Sequence, residues 1–476
     1  MNLGVSIRLR RIEAVAAVTQ LFSRFHHLCA AGEYDKAADL LAQTTPGLSV
    51  ELADWGVYEG LDHAADALIG SLRRMATVHS AGLRQSRPDL DRGHERAGLL
   101  LETALMTPVI HAADDGVTAR GLWMGLGAQS GFNPGAGTVE ASWVWAQHAV
   151  DFVLEDGEWK ILHYRVAPRF RCPYSESWVV AAARGPQKPP PGLAPPADGP
   201  STGEATEYSS GLLVPYDPVP PAPYRTFAES ASYGPAHLPL PPAGSDPEVP
   251  TSVGPELVRR LQRLEDVHAI SNLMGMHEYL HVAGRNGEEL DTVFAREAPD
   301  STFEPEDWGT WVGLDSIRAC YVDGAPPMMP GLVTEHALTT PVIEVAADGQ
   351  TAKGVWISPG HETFPRPQGG LAHWSWGRYG VDFVKEHGEW KVWHFHIYTT
   401  FRTPYEVDWV ESAVHRPAHL PEPGATMPNM RGPDRPVSFN QPYHPDQTPV
   451  LQPLPPRPYE TWAETWSYTD RPPVSA

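Results

Sequence analysis

The sequence predicts an α+β protein built from two tandem copies of one domain, each followed by a Pro-rich segment. The main observation is an internal repeat, in which "DGEWKILHYRVAPRFRCPYSESW" (Asp156–Trp178) returns as "HGEWKVWHFHIYTTFRTPYEVDW" (His387–Trp409). A second observation is that the chain has 50 prolines and that most of them lie in two segments, 181–250 and 416–476. The repeat is far longer than the roughly 20–50 residues of a solenoid period, so it indicates a duplicated domain.

Further paired blocks occur in the same order in both copies, at nearly constant spacing. They are 11–22 with 263–274, 53–63 with 306–316, 107–123 with 340–356, and 143–153 with 374–384. We therefore predict a first domain over 1–180 and a second over 251–415. The two Pro-rich segments cannot form helix or central strand.

Within each copy, the pattern begins as helix and continues as strand. The first helix is predicted from apolar residues at helical spacing: Ile12, Val15, Val18, Leu21 and Phe22, then Leu264, Val267, Ile270, Leu273 and Met274. A second short helix follows in "YDKAADLL" and "GEELDTVF", and a third after "GLDH" and "GLDS". The remainder alternates with period two between Gly-containing turns, so we expect three helices on a curved antiparallel sheet.

The Pro-rich segments also repeat, since "PYRTFAESASY" is echoed by "PYETWAETWSY". One interpretation is a loose linker, which has no need of repeated aromatic residues. The other is that the aromatic ends dock on a domain through Tyr224, Phe227, Tyr459 and Trp462. We favour docking.

Composition excludes several classes of protein. The formal net charge of −22 argues against a nucleic-acid partner, because phosphate binding requires clustered Lys and Arg. No apolar run approaches the 18 residues of a membrane span. The three cysteines form no framework, and the N-terminus lacks the apolar core of a signal peptide, so we expect a cytoplasmic protein.

The order of "HALTTPVIEVAADGQTAKGVW" and "YGVDFVKEHGEWKVWHF" resembles SnoaL-like domains of the nuclear transport factor 2 superfamily, over residues 8–180 and 255–412. The resemblance implies two cone-shaped α+β barrels that work without a cofactor. Relatives include ketosteroid isomerase, scytalone dehydratase and polyketide cyclases. It implies a cofactor-independent lyase, acting by dehydration or retro-aldol deformylation on an aromatic, lignin-derived type of substrate. The alternatives are a cyclase or isomerase, and a non-catalytic binder of hydrophobic ligands.

The last long strand carries the catalytic residues that we expect. Strict alternation places Trp390, Val392, His394, His396 and Tyr398 on one face, which in the resembling family looks into the cone. Two histidines at i and i+2 are suited to acid–base chemistry, because histidine titrates near neutrality. The alternative is that they are hydrogen-bonded core residues.

His336, on another strand, is the fourth predicted catalytic residue, because SnoaL-like domains often carry a histidine there. The second copy has His336 and His396 where the first has Thr103 and Arg165. We therefore expect the chemistry in the second copy.

Predicted substrate-binding residues combine aromatic and polar side chains. They are Tyr279, His281, Asp307, Trp308, Trp376 and Tyr379. For Asp307 and the two tryptophans the simpler interpretation is a helix cap and core residues. Arg402 is expected to be a surface charge.

"HEYLH" (His277–His281) satisfies the H-E-x-x-H zinc pattern. No third ligand is signalled and the first copy reads "FHHLC", so we favour metal-free pocket residues and predict neither metal nor cofactor. The family often has an acidic residue at the end of this helix, where this chain has Ala283 and Gly284. The expected partners are a small aromatic substrate and a second barrel, from another chain or from the same one.

Overall fold

The computed structural model describes residues 2–52, 55–90, 93, 96–133, 135–182, 191–202, 217–244, 254–324, 332–366, 369–415 and 431–470. The chain divides into two compact units. Unit 1 comprises Met1–Val258 with Pro445–Leu451, and unit 2 comprises Arg259–His444 with Gln452–Ala476. Each unit is an α+β domain, which confirms the predicted tandem fold.

Unit 1 contains a six-stranded sheet with helices packed against it. Its helices are α1 (Asn2–Ala31), α2 (Tyr34–Ala38), α3 (Leu61–Ala65), α4 (Ser71–Ser86) and α5 (Trp178–Ala182), with a π-helical turn at Asp66–Gly70. Its strands are β1 (Ser49–Leu52), β2 (Gly56–Glu59), β3 (Leu100–Ala112), β4 (Thr118–Asn133), β5 (Thr138–Glu155) and β6 (Glu158–Pro173). They are ordered β2-β1-β6-β5-β4-β3.

Unit 2 repeats this arrangement. Its helices are α6 (Pro255–Val282), α7 (Asn286–Val293), α8 (Leu314–Tyr321) and α9 (Trp409–Val414). Its strands are β7 (Thr302–Pro305), β8 (Trp311–Val312), β9 (Val333–His336), β10 (Thr339–Val345), β11 (Thr351–Arg366), β12 (Gly369–Glu386) and β13 (Glu389–Pro404). The order is β10-β11-β12-β13-β7-β8, and β9 pairs with β11.

Each sheet is mixed, whereas the sequence predicted an antiparallel one. The short strand β1 runs parallel to β6, and β7 runs parallel to β13. Both short strands enter the sheet after the first two helices and join beside the last strand, a crossover that hydrophobic periodicity does not reveal. Helical spacing on α1 and α6 buries Val18, Phe22, Ile270 and Met274 of the predicted apolar stripe, whereas Ile12 is 54% exposed.

A β-bulge in the last strand of unit 2 decides which side chains face the helices. Val392 pairs with Phe383 and His394 pairs with Asp382, so Trp393 is an extra residue. An extra residue moves every later side chain to the opposite face. The helix-facing residues are therefore Trp390 and Val392 before the bulge and Phe395 after it.

The predicted orientation of His394, His396 and Tyr398 is consequently wrong. The three side chains do share one face, but it is the face opposite to the helices, where the C-terminal segment covers it. Unit 1 has the same register shift before His163.

A buried aspartate anchors the Pro-rich segment to the sheet of unit 1. Asp151 pairs with Arg120 at 3.0 Å and accepts hydrogen bonds from Ser232 Oγ at 2.6 Å and the Tyr233 amide at 2.9 Å. The Arg120 guanidinium lies 4.4 Å from the Phe227 ring centre. A fully buried ion pair thus holds the segment through charge, hydrogen bonds and a cation–π contact.

Unit 2 uses the equivalent anchor. Asp382 pairs with Lys353 and accepts a hydrogen bond from the Tyr468 amide at 2.9 Å. Tyr459 contacts Thr351, and the Trp462 ring packs against His394. Docking of both Pro-rich segments is confirmed for the residues that the structure describes. Within those residues, no helix is long and apolar enough to cross a membrane.

Candidate functional site

Titratable side chains are concentrated between the helices and the sheet of unit 2. We call them the unit 2 cluster. Its members are His277, Glu278 and His281 on α6, Glu289 on α7, Tyr321 on α8, His336 on β9, Glu362 on β11, Tyr379 on β12 and Arg402 on β13.

Helix α6 brings three of these side chains together because of its periodicity. His277 and His281 are one turn apart and lie on one face, with ring centres 6.2 Å apart. Glu278 is next to His277, and its Oε1 lies 3.6 Å from His277 Nε2. The buried Met274, one turn earlier, packs this face against the core. The side chains of His277, Glu278 and His281 thus point into the interior of unit 2.

Glu289 is the central carboxylate of the cluster and is completely buried. It accepts hydrogen bonds from His277 Nδ1 and from Tyr321 Oη, the latter at 2.7 Å. Burial lowers the pKa of His277, but the charge of Glu289 and its hydrogen bond outweigh burial and leave that pKa raised. This raised pKa favours a protonated His277, paired with Glu289 in the interior.

Tyr321 links Glu289 to His281. Its hydroxyl lies 2.8 Å from His281 Nδ1. Since this hydroxyl donates its proton to Glu289, His281 Nδ1 must carry the hydrogen of the second bond, which leaves Nε2 with a lone pair. Burial lowers the pKa of His281 to about 4, although 28% of its side chain stays accessible. His281 is thus a neutral hydrogen-bond acceptor whose tautomer is set by Tyr321.

His336 has its own carboxylate. Its Nε2 lies 3.4 Å from Glu362 Oε1, and Arg402 donates to Glu362 Oε2, from Nε at 2.8 Å. Burial opposes ionisation of Glu362, but the bond from His336 and the Arg402 charge lower its pKa to about 2. Glu362 therefore stays ionised and orients the His336 ring. Arg402, expected on the surface, instead pairs with Glu362 and Glu306.

The two histidines approach each other from different elements. The ring centres of His281 and His336 are 6.3 Å apart. Tyr379 is buried nearby and contacts the rings of His277 and Phe395 at 6.2 and 5.1 Å. The arrangement combines two imidazoles with the aromatic rings of Tyr379 and Phe395. Glu289 orients His281 through Tyr321, and Glu362 orients His336.

Of the predicted site residues, the structure brings His281, His336 and Tyr379 together. The side chain of Tyr279 lies outside the described residues. Trp308 packs against the hydrophobic core. Asp307 accepts a hydrogen bond from Asn440 of the C-terminal segment, and the Trp376 ring packs at a tilt against Phe401, with ring centres 5.4 Å apart.

The other three predicted catalytic residues lie on the opposite face of the sheet. His394 Nδ1 bonds Asp382 at 3.1 Å. His396 Nδ1 and the Tyr398 hydroxyl both donate to the Tyr468 carbonyl, each at 2.9 Å. Their contacts place them in the anchor of the C-terminal segment rather than in the unit 2 cluster.

Sequence reasoning missed Glu278, Glu289, Tyr321 and Glu362 as site residues. A signal was present in the comparison of the two copies. Glu289 aligns with Ala37, Tyr321 with Leu68 and Glu362 with Gln129. Positions that are ionisable in one copy and neutral in the other mark the cluster better than strand alternation does.

The unit thus defined, with three helices against one face of a curved mixed sheet and polar groups between, is a known class of domain. The chain belongs to the SnoaL-like domain family, whose profile matches residues 10–165 and 262–396. These matches cover more than half of the chain and include one stretch in each unit.

Solved structures resemble one unit at a time, at low identity. A protein of unknown function from Mycobacterium tuberculosis is 19% identical over 32% of this chain and 78% of its own, with a TM-score of 0.25. A candidate scytalone dehydratase from Novosphingobium aromaticivorans is 20% identical over 31% and 91%, with a TM-score of 0.25. A hexachlorocyclohexane dehydrochlorinase is 18% identical over 34% and 98%, again with a TM-score of 0.25. No curated protein matches the chain.

Proposed function

We propose that unit 2 is a cofactor-independent lyase that removes water, and a one-carbon fragment, from a hydroxylated aromatic substrate. The observation that carries the proposal is the pair His281 and His336, whose ring centres are 6.3 Å apart. Tyr321, itself bonded to Glu289, orients His281, and Glu362 orients His336. Two imidazoles held in this way can bind and deprotonate one small polar group. The neighbouring rings of Tyr379 and Phe395 suit an aromatic substrate.

The substrate class that fits this chemistry is a 1,2-diaryl-1,3-propanediol of the lignin type. His336, whose ring the adjacent Glu362 orients, takes the proton of the primary hydroxyl. The carbon–carbon bond then breaks to release formaldehyde, and its electron pair forms the double bond of a diarylethene. The benzylic oxygen leaves as water once it has received a proton. His281 Nε2 accepts a hydrogen bond from a substrate hydroxyl and positions it.

The test is turnover of a phenolic 1,2-diaryl-1,3-propanediol by the full chain, followed through diarylethene absorbance and released formaldehyde. We expect equal amounts of both products. His336→Ala should lower kcat by about 10²–10⁴-fold, because it removes the general base. His281→Ala should chiefly raise KM, because it removes a positioning contact.

The matched controls are the aligned residues of unit 1, Thr103→Ala and Cys29→Ala, which should retain the activity of the unchanged chain. Absence of both products with the unchanged chain would overturn the substrate class. Loss of turnover in the unit 1 variants, with His336→Ala remaining active, would overturn the assignment to unit 2.

A further inference from the structure

Glu278, a buried carboxyl group of the unit 2 cluster, forms no short ion pair within the described residues. Glu278 is 9% exposed, and neither of its oxygens has a hydrogen bond of ordinary length and angle in the described residues. Its nearest basic atom is His277 Nε2 at 3.6 Å, and His277 is already paired with Glu289. A buried polar group without a close partner is costly, so such a group calls for a functional explanation.

Side chains from several helices and strands of the unit 2 cluster surround Glu278. The titratable groups that interact with it are His277 on its own helix, Glu289 on α7, Tyr321 on α8, His336 on β9 and Tyr379 on β12. His281 and Glu362 adjoin His336. The basic groups His277 and Arg402 are already paired with Glu289 and Glu362. Tyr379 interacts with both Glu278 and Ser358, whose hydroxyl is fully buried.

We infer that Glu278 is the acid that protonates the leaving hydroxyl of the substrate. The inference rests on the proposed function and adds to it the group that His336 cannot supply. The Glu278 O–H bond breaks, the proton goes to the benzylic oxygen, and the C–O bond breaks with its electron pair leaving on water. The proton that His336 took from the primary hydroxyl then restores Glu278, so the cycle consumes no net proton.

The electrostatics agree with this role. Burial raises the pKa of Glu278, and the neighbouring His277, His336 and Tyr379 only partly offset the increase. A raised pKa favours the protonated form at the pH where His336 is to act as a base. Glu362, by contrast, is held ionised by Arg402 and cannot serve as the acid.

The protonated state can be tested without any substrate, by infrared spectroscopy of the full chain. A protonated carboxyl group gives a carbonyl band above the amide band, and this band should disappear in Glu278→Gln. The aligned unit 1 variant His26→Gln should keep it. A band that is absent at neutral pH in the unchanged chain, or that persists in Glu278→Gln, would overturn the inference.

The role in turnover can be tested with two substrates. Glu278→Gln should lower kcat for the diol by about 10²–10⁴-fold and abolish the alkaline limb of its pH profile. With the benzylic oxygen acylated, the leaving group is a carboxylate that needs no proton, so the loss should shrink to less than about 10-fold. An equal loss with both substrates would overturn the acid role. No turnover of the diol by the unchanged chain would overturn the proposed function and the role together, whatever the infrared band shows.

Discussion

The interiors of the two units differ although their backbones repeat. Where unit 2 has His277, Glu278 and His281, the aligned positions of unit 1 carry Phe25, His26 and Cys29. The result in unit 1 is an aromatic core around Phe22, which contacts Phe25, Trp123 and Tyr164.

Unit 1 carries His26 and His148 at the positions aligned with Glu278 and Tyr379, and both histidines are electrically neutral. His148 Nδ1 lies 2.7 Å from the Tyr164 hydroxyl, and burial lowers the pKa of His148 to about 4. Burial also lowers the pKa of His26 far below its usual value. The comparison teaches that this fold does not require interior charges. The ion pairs of unit 2, which cost desolvation, are therefore better explained by chemistry than by stability.

By contrast, the two sheets are alike on their outer faces, which are the faces opposite to the helices. Asp151 and Asp382, both in the repeated "VDF" strand, anchor the following Pro-rich segment through a basic partner. The repeated sequence is thus explained by the fold, and the proposed chemistry rests on residues that do not repeat.

The largest effect is expected from removing these anchors. Asp382→Ala leaves Lys353 buried without its carboxylate and releases Tyr468, so unit 2 should lose about 3–5 kcal/mol of unfolding free energy. Asp151→Ala should cost unit 1 a similar amount through Arg120. Denaturant unfolding measures both. If one unit is unaffected, the two outer faces are not equivalent.

The next effect separates the interiors. Glu289→Ala leaves His277 buried beside no counter-charge and should destabilise unit 2 by about 3 kcal/mol. Adding His277→Phe reproduces the unit 1 pair Phe25 and Ala37, and should recover most of that stability. Denaturant unfolding of single and double variants provides the measurement.

The double variant should keep a raised KM, because the order imposed on His281 through Tyr321 and Glu289 is lost. Full activity in the restored double variant would show that the unit 2 ion pair is structural.

A smaller effect is expected on the stability of unit 1 at acid pH. The pKa of His148 is about 4 when folded and about 6.5 when unfolded, so the unfolded chain binds more protons between these values. Unit 1 should therefore lose stability as the pH falls from about 6.5 to about 4, by roughly 1–3 kcal/mol in total. His148→Phe should flatten this dependence. Hydrogen exchange of β5 and β6 across this pH range measures it, and an unchanged slope would contradict it.

The smallest effect is expected from metal chelation. Glu289 raises the pKa of His277 and so favours the protonated ring, which cannot ligate a metal ion, and His281 Nδ1 is bonded to Tyr321. Turnover after chelation should change less than about 2-fold. Stoichiometric zinc in the purified chain, with loss of activity on its removal, would contradict this prediction.

Much of the fold could be predicted from the sequence, because repeated blocks reveal a duplicated domain and periodicity reveals its helices and strands. His394, His396 and Tyr398 were misplaced because alternation assumes an uninterrupted strand, and the extra residue Trp393 has no local signature. A bulge is set by the pairing of two strands, which periodicity in one strand does not contain.

The cluster itself could be predicted only in part. His281, His336 and Tyr379 were found from residue type and position. Glu289 and Glu362 were not found, because a carboxylate in a helix or a long strand is ordinarily interpreted as a solvent-exposed charge. Only the tertiary fold brings Glu289 to His277 and Glu362 to His336.

The most direct test of the central claim is where the substrate binds. A crystal structure of the full chain with a non-cleavable analogue that keeps both hydroxyl groups of the diol should show it in unit 2. Its hydroxyl groups should lie within hydrogen-bond distance of His281, His336 and Glu278. Density for the ligand among Phe22, His26 and His148 of unit 1, with the unit 2 cluster unoccupied, would contradict the account.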